Sequence, residues 1–348
     1  MNIAHVVGTG GYLPGEPIGN DEIERLAGPL PDDVREGLSI TRRYWMIDPA
    51  TGEHRENNSD MAYQAAVRAL ESAEIDPGEV DLLILATGTP DYPLPPVVNL
   101  VQERLGIVEC ATLEIRSGGA GVAQGLDIAR MYLERGIHST AVVIGSEAIS
   151  PVLAPVFLGR DPHTIRMRDR MPLYMFGDGA GAIVLRAKPE GAPGGVIGAT
   201  MRAIGGDRKP GIISVGGGTH APIHRQLTAR RLVDLKVDVV GAGGFTPVML
   251  TRAVTETLDA CMIDSVDVSV IPEGSVGWVN DSLPSSGLAN AGKIVDSLTT
   301  MGAVGSAAVP LFLDDAVRAG IIRTGQRVML VGVESTKWIY ATTVIDWS

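Results

Sequence analysis

The sequence predicts an α/β fold in which two similar lobes are related by a pseudo-twofold axis. The first observation is a glycine-rich turn that opens a helix within residues 116–137, where apolar side chains follow a mainly helical period. The second is that residues 302–321 repeat this design. Gly121 is matched with Gly305 and Gly136 with Gly320, so the two glycines of each copy are fifteen positions apart.

The match continues on both sides of this helix. Upstream, residues 69–88 and 257–274 each read as a helix, an Ile-Asp turn and an apolar strand that ends at a glycine. Downstream, AVVIGSE at 141–147 matches VMLVGVE at 328–334. Helix–strand–helix–strand units repeated at half the chain length predict two similar lobes related by a pseudo-twofold axis.

Length and composition narrow the class of protein. The 348 residues are enough for a large core, divided into an N-terminal lobe, 1–185, and a C-terminal lobe, 186–348. Apolar residues make up 45% and charged residues 20%, which is typical of a globular protein. A net charge of −12 argues against nucleic acid or an anionic membrane as a general partner. The absence of a signal peptide and of any apolar run of membrane length predicts a cytoplasmic protein.

The two cysteines and six histidines are informative mainly for what they exclude. Cys110 and Cys261 are too few for a disulfide framework, and the histidines show no spacing typical of metal ligands. Cys110 precedes a strand and Cys261 lies in a helix, so both are interpreted as structural. No metal site is predicted.

Further elements follow from apolar runs and the residues that interrupt them. The predicted strands are 3–9, Leu82–Ala86, 111–116, 141–145, 266–271 and one closing at Leu185; the predicted helices are Asn20–Ala27, 60–73 with Ser59 as N-cap, one ending at Leu105 and one stopping at Gly136. Residues 28–58, 148–173 and 205–244 are predicted to be irregular. Sites in such folds form at the carboxyl ends of strands and at helix N-termini. The turns around Gly119 and Ala303 are therefore predicted to face one cleft.

Five segments carry a resemblance to a known family, and they are distributed along the whole chain. They are GTGGYLPGEPIGNDEIERLAG, LLILATGTPDYPLPP, VQERLG, FGDGAGAIVL and PLFLDDAVRAG. Together with the duplication they make the chain similar to the thiolase superfamily, and specifically to ketoacyl-acyl carrier protein synthase III. This resemblance implies a five-layered α-β-α-β-α fold and an obligate dimer. It also implies acyl groups delivered on coenzyme A or acyl carrier protein, with no permanently bound cofactor.

The same resemblance locates three catalytic positions, and this sequence differs from the family at each. The family's nucleophilic Cys, at the start of the central helix, aligns with Gly119. Its catalytic His, which follows a proline, aligns with Glu273, and the Asn of its Gly-Asn pair aligns with Ala303. The family's late triple-glycine turn is replaced by 333–336, Val-Glu-Ser-Thr, which alters the expected oxyanion site. Because a covalent intermediate needs a nucleophilic side chain, no acyl-enzyme is expected at Gly119.

Several residues are candidates for the missing chemistry. Glu273 is the first candidate for a base, because a carboxylate at the mouth of a buried cleft can have a raised pKa. The alternatives for Glu273 are a solvated loop residue or a partner for Arg170. Glu334 and Ser335 are weaker candidates in the same cleft. Ser117 is interpreted as a turn residue, since no His in the motif set is placed to activate it.

The contacts that the resemblance implies for substrate are partly replaced. The family's adenine-contacting Trp and Arg align with Asp33 and Gly37, and its carrier-docking Arg aligns with Trp278. Trp supplies no charge-assisted phosphate contact. Arg170 stands where the family has a coenzyme-contacting Arg, and Arg168 belongs to the same basic segment. That segment is read either as solvated or as a phosphopantetheine-phosphate site.

Two functions are consistent with these observations. In the first, the protein is a divergent enzyme of polyketide- or fatty-acid-type specialised metabolism that acts on coenzyme A or carrier-protein thioesters. It would use Glu273 for acid–base chemistry, or transfer the acyl group directly. In the second, it is an inactive subunit that pairs with an active synthase-like chain or holds a carrier-bound chain. In either case we expect a homodimer or heterodimer formed through the edge strand near 111–116.

Overall fold

The computed structural model describes residues 2–214, 216–222, 235–272 and 288–348. In this part of the chain the α-helices are α1 (Asn20–Ala27), α2 (Asp32–Leu38), α3 (Asn58–Ala73), α4 (Val97–Arg104), α5 (Gly121–Glu134), α6 (Ser150–Phe157), α7 (Met167–Met175), α8 (Val239–Cys261), α9 (Leu298–Met301) and α10 (Ala308–Arg318). The first five-stranded sheet contains β1 (Asn2–Tyr12), β4 (Leu82–Ala86), β5 (Ala111–Ile115), β6 (Thr140–Glu147) and β7 (Gly179–Pro189). The second contains β8 (Gly195–Ala203), β11 (Val268–Val270), β12 (Lys293–Val295), β13 (Arg327–Glu334) and β14 (Ile339–Asp346). Two short ribbons pair β2 (Ile18–Gly19) with β3 (Arg42–Arg43) and β9 (Ile212–Ser214) with β10 (Leu235–Val237).

The two large sheets have the same topology. The first has the order β1-β7-β6-β4-β5, and the second, read from its other end, has the order β8-β14-β13-β11-β12. In each, the three strands at one end are parallel, while the two at the other end run antiparallel to their neighbours. The predicted α/β fold of two similar halves is therefore confirmed. The first sheet extends to Pro189, beyond the boundary predicted at residue 185, and the division into lobes 1–185 and 186–348 stays a prediction.

Helices cover both faces of each sheet and produce five layers. α5 and α10 lie between the sheets, and their apolar side chains share one core with strands of both. α3 and α4 pack on the outer face of the first sheet, and α8 packs on the outer face of the second. Burial on both faces explains why the central strands β4 and β6 are apolar runs rather than alternating ones, since every residue of both is buried.

Several element predictions are confirmed and others are wrong. α1 and β4 have the predicted bounds. The segments predicted to be irregular contain α2, which has no buried residue, and also α6, most of α7 and the short strands β3, β9 and β10. Ser59 is not an N-cap, because α3 begins at Asn58 and Asn57 caps it. The backbone N–H of Asn57 donates to the Asp60 carboxylate over 2.8 Å, completing a capping box.

The repeat has a different register from the one predicted. A single turn of 3₁₀ helix precedes each central helix, at 118–120 before α5 and at 305–307 before α10. Gly118 and Gly305 open these turns with left-handed φ values of 48° and 49°, so Gly118, not Gly121, corresponds to Gly305. The offset arises because α5 has 14 residues and α10 has 11, a difference of three. Gly119 thus corresponds to Ser306 in the fold.

The buried His5 of β1 gives the protein a predicted pH dependence. His5 is 0% exposed, and neither ring nitrogen has a hydrogen-bond partner in the described part of the chain. Burial lowers the pKa of His5, and the charge of Lys188 lowers it further; the cross-strand neighbour is Arg186. Below about pH 6.5, His5 becomes protonated in the unfolded chain but stays neutral in the folded chain until a lower pH. Stability is therefore expected to fall as the pH drops, by up to about 1.4 kcal/mol per pH unit from this residue.

Urea unfolding at pH 7.5 and at pH 5 measures this effect. His5→Leu should reduce the loss of stability between the two pH values, whereas replacement of the exposed His54 by Leu should leave it unchanged. Equal losses in the wild type and in His5→Leu would contradict the prediction.

No helix among the described residues is both long and apolar enough to cross a lipid bilayer.

Candidate active site

The turns that open α5 and α10 contact each other between the two sheets. The hydroxyl of Ser306 donates to the carbonyl of Gly118 over 3.2 Å, which joins the two turns directly. Each turn precedes a helix N-terminus, where backbone N–H groups lack intrahelical partners and attract anions. The turns therefore form two neighbouring anion-binding positions.

Glu334 fills the position at the first turn. It is the last residue of β13 and is partly buried. Its carboxylate accepts the backbone N–H of Gly119 over 2.9 Å and that of Thr336 over 2.6 Å. A Cβ at residue 118 would overlap this carboxylate, so the turn requires Gly118 for space as well as for its φ. Burial raises the pKa of Glu334, and the charge of Glu147 raises it further.

Glu147 is the pseudo-twofold counterpart of Glu334. It is the last residue of β6, is only 4% exposed, and accepts the backbone N–H of Ser306 over 3.1 Å in the second turn. Three more donors reach its carboxylate: the N–H of Gly88 at 2.8 Å and the hydroxyls of Thr89 at 2.6 Å and Thr87 at 3.4 Å. Each half of the molecule thus supplies the carboxylate that binds the turn of the other half.

Glu147 was not among the predicted site residues, although the sequence repeat points to it. The two matched strands, AVVIGSE and VMLVGVE, both end in glutamate, and the carboxyl end of a parallel strand is where sites form. Glu334, the weaker candidate, contacts Gly119 directly, while Glu273 lies outside the described residues.

Other predicted positions are near the turns but are held by backbone contacts. Ala303, two residues before Gly305, donates its N–H to Met175 over 2.8 Å and accepts that of Gly177 over 3.1 Å. The carbonyl of Ser335 accepts the N–H of Gly211 over 3.0 Å. These contacts position loops around the site.

The two predicted substrate-contacting arginines, Arg168 and Arg170, have different surroundings. The guanidinium of Arg170 donates to the carbonyls of Pro29 at 2.6 Å, Pro162 at 3.5 Å and Ile165. Arg168 is 69% exposed and lies 3.6 Å from the carboxylate of its neighbour Asp169. Trp278, the other predicted substrate contact, lies outside the described residues.

The motif FGDGAGA contributes a structural carboxylate. Asp178 is fully buried and accepts the N–H groups of Met46 at 2.7 Å, Ile149 at 2.6 Å and Ser150 at 2.8 Å, together with the Ser150 hydroxyl. Burial raises the pKa of Asp178 to about 6 against the opposing effect of these donors. Asp178 joins its own segment to that of Met46 and to that of Ile149 and Ser150, and the rest of the motif, from Gly179, belongs to β7 rather than to a phosphate-binding loop.

The two cysteines are both among the described residues, and neither is hydrogen-bonded to Glu334 or Glu147. Burial raises the pKa of Cys110 and of Cys261, which disfavours the reactive thiolate of both. In the described ranges, no group of three or more His, Cys, Asp or Glu residues has the geometry of a metal site.

The fold and the paired turns define a member of the thiolase superfamily, in which two similar halves place helix N-termini side by side. A family model, 3-oxoacyl-[acyl-carrier-protein] synthase III, matches residues 113–205. The β-ketoacyl-[acyl-carrier-protein] synthase III of Desulfitobacterium hafniense (strain Y51) is 30% identical over 347 residues, covering 99% of this chain and 97% of that protein. The chain belongs to the β-ketoacyl-[acyl-carrier-protein] synthase III family.

Further comparisons agree with this assignment. The synthase III of Neisseria meningitidis (strain FAM18) is 29% identical over 341 residues, covering 96% of each chain. Among solved structures, AbyA1, a tetronic acid condensing enzyme, is similar with a TM-score of 0.85 and 26% identity, covering 99% of each chain. Synthase III from Pseudomonas aeruginosa PAO1 has a TM-score of 0.80 at 23% identity, covering 99% of this chain and 98% of that one, and supports the fold.

Proposed function

We propose that this protein acts on acyl groups held as thioesters on coenzyme A or acyl carrier protein, without forming an acyl-enzyme. The reaction is a condensation or acyl transfer of the synthase III type, in polyketide- or fatty-acid-type metabolism. The observation that carries the proposal is the carboxylate of Glu334 on the N–H of Gly119. The family resemblance assigns the nucleophile to that turn, and here a proton-transfer group is bound where a thiol would act.

In this reaction Glu334 is proposed to accept a proton from the attacking group. That group then attacks the thioester carbonyl, the carbon–sulfur bond breaks, and the proton is returned to the leaving thiolate. A pKa raised towards the working pH favours this role, because a general base is most effective when its pKa lies near ambient pH. Glu273 remains the second proposed base.

A second function is favoured by the same contact. The two backbone N–H groups on Glu334 hold the carboxylate in the position that a substrate oxyanion would otherwise occupy. A chain with this position filled suits the role of an inactive subunit that pairs with a related active chain or holds a carrier-bound acyl group.

The contact to the phosphate of coenzyme A or phosphopantetheine is also a proposal. Arg168 is favoured over Arg170, because the guanidinium of Arg170 already donates to three carbonyls while Arg168 is exposed. Trp278 stays a proposed contact on the resemblance alone.

The central test is whether an acyl group ever becomes covalently attached to the protein. We expect no acyl adduct on Ser117, Cys110 or Cys261 after incubation with panels of acyl-coenzyme A and acyl carrier protein, because none has an activating base in its motif. Intact mass and peptide mass spectrometry detect adducts, and product analysis detects turnover. A stable adduct on any of these residues would contradict the proposal, and turnover without an adduct would separate the enzyme from the inactive subunit.

We also propose a dimer, with itself or with a related chain, formed through β5. This strand is at the edge of the first sheet, and Leu113 within it is 38% exposed. Sedimentation at micromolar concentration should give a dimer. Leu113→Lys should weaken it, whereas Ile213→Lys, at a position of similar exposure on β9 (40%), should not. A wild-type monomer with an intact fold would refute this assembly.

A further inference from the structure

We propose that the acyl group handled at the Gly119 turn carries a hydrogen-bond donor, a hydroxyl or an ammonium group, close to its thioester, and that acyl groups ending in a carboxylate are disfavoured. This inference rests on the proposed function and names the substrate class of the same site. Glu334 is the specificity-determining residue.

The first argument is the local excess of negative charge. Glu147 lies close enough to Glu334 for its charge to raise the pKa of Glu334. Among the described residues, no Lys, Arg or His forms an ion pair with either carboxylate. Their hydrogen-bond partners are neutral backbone N–H groups and hydroxyls. Within the described part of the chain, a third carboxylate brought to this turn meets these two carboxylates and no compensating cation.

The second argument is the unused acceptor capacity of Glu334. A carboxylate has about four lone-pair positions. Glu147 receives four donors, three on one carboxylate oxygen from Gly88, Thr87 and Thr89 and one on the other from Ser306, and it is only 4% exposed, so it is closed to a ligand. Glu334 receives three donors, the N–H groups of Gly119 and Thr336 and the hydroxyl of Thr336, which leaves about one position open, and it is only partly buried. It can therefore accept a charge-assisted hydrogen bond from a hydroxyl or ammonium group of the substrate.

The experiment compares four coenzyme A thioesters with acyl groups of similar length: 3-hydroxybutyryl, β-alanyl, butyryl and malonyl. Binding to the full-length protein is measured by calorimetry. The wild type is expected to bind the hydroxyacyl and aminoacyl thioesters about tenfold or more tightly than malonyl-coenzyme A, with butyryl between them. In Glu334→Gln the difference should shrink to about threefold or less, because the added charge is gone while an acceptor for the Gly119 N–H remains.

Glu71→Gln is the matched control. Glu71 is exposed near the C-terminus of α3, whereas Asn58, at the start of that helix, bonds Thr87 and Thr89 beside Glu147. Thirteen residues of helix place Glu71 about 20 Å from Asn58. This variant should keep the full wild-type preference.

A measurement on the wild type alone covers the case in which Glu334→Gln does not fold. Raising the salt concentration from about 0.05 to about 0.5 M should weaken the discrimination against malonyl-coenzyme A, since part of it is charge repulsion and Glu334 is only partly buried. Equal wild-type affinity for malonyl and hydroxybutyryl thioesters, or an undiminished preference in a folded Glu334→Gln variant, would overturn the inference and leave the proposed function standing. Binding of none of the four thioesters would instead count against the proposed function, and the inference would fail with it.

Discussion

Replacement of Glu334 by Gln is expected to lower the rate of thioester turnover by about a hundredfold to ten-thousandfold, the usual contribution of a positioned general base. Gln has nearly the same size, and its amide oxygen can still accept the N–H of Gly119, which bonds the carboxylate over 2.9 Å in the wild type. What Gln lacks is a basic form that takes up a proton. The turn is therefore expected to keep its structure while the chemical step is lost, with kcat falling more than KM rises.

Two further variants make this result decisive. Glu273→Gln tests the residue that sequence reasoning ranked first, and Glu71→Gln reports the effect of removing a distant carboxylate. Loss of turnover in Glu273→Gln with wild-type turnover in Glu334→Gln would transfer the role of base to Glu273. Wild-type output from both variants, in an assay that contains every pathway partner, would refute the catalytic role of either residue and leave the binding subunit.

Removal of the Asp178 carboxylate should produce the largest loss of stability. Asp178→Ala is expected to lower the free energy of unfolding by about 3–5 kcal/mol, because four buried hydrogen bonds lose their acceptor. Their donors come from residue 46 and from the adjacent residues 149 and 150, so one substitution releases two segments at once. Urea unfolding measures the change.

Asp207→Ala is the control for this prediction. Asp207 is exposed, so its removal is expected to change stability by no more than about 0.5 kcal/mol. A loss at Asp178 as small as that at Asp207 would show that the buried bonds contribute little. Retained far-ultraviolet circular dichroism would establish that the Asp178 variant folds before its stability is compared.

The fold was predictable because its information is local and repeated. The fully buried β4 is an uninterrupted apolar run, and α1 is an amphipathic segment ending before Gly28, so both have the predicted bounds. The duplication supplied the rest, since two copies of one helix–strand pattern imply two similar halves. α2 was not predicted because none of its seven residues is buried, and a helix without an apolar face leaves no periodic signal.

The site was only partly predictable, for a different physical reason. Gly119 could be placed at the first turn from sequence, and Glu334 was among the candidates. The partners of Glu334 and Glu147, however, are mostly backbone N–H groups, which every residue type except proline carries. The amino-acid sequence therefore does not show which backbone N–H groups bind these carboxylates. The register error had a similar origin, because Gly121 and Gly305 gave equal spacing while the left-handed φ of Gly118 is visible only in the backbone.

The exchange of carboxylates between the halves makes each half dependent on the other for its own completion. Glu147 ends a strand of the first sheet, but its carboxylate binds the N–H of Ser306 in the second turn. Glu334 ends a strand of the second sheet, and its carboxylate binds the N–H of Gly119 in the first turn. Either half without the other would lack the carboxylate on its own turn, and its glutamate would lack the N–H group that it accepts from the other half. The two copies of the repeat therefore depend on each other, because each turn binds a carboxylate from the other copy.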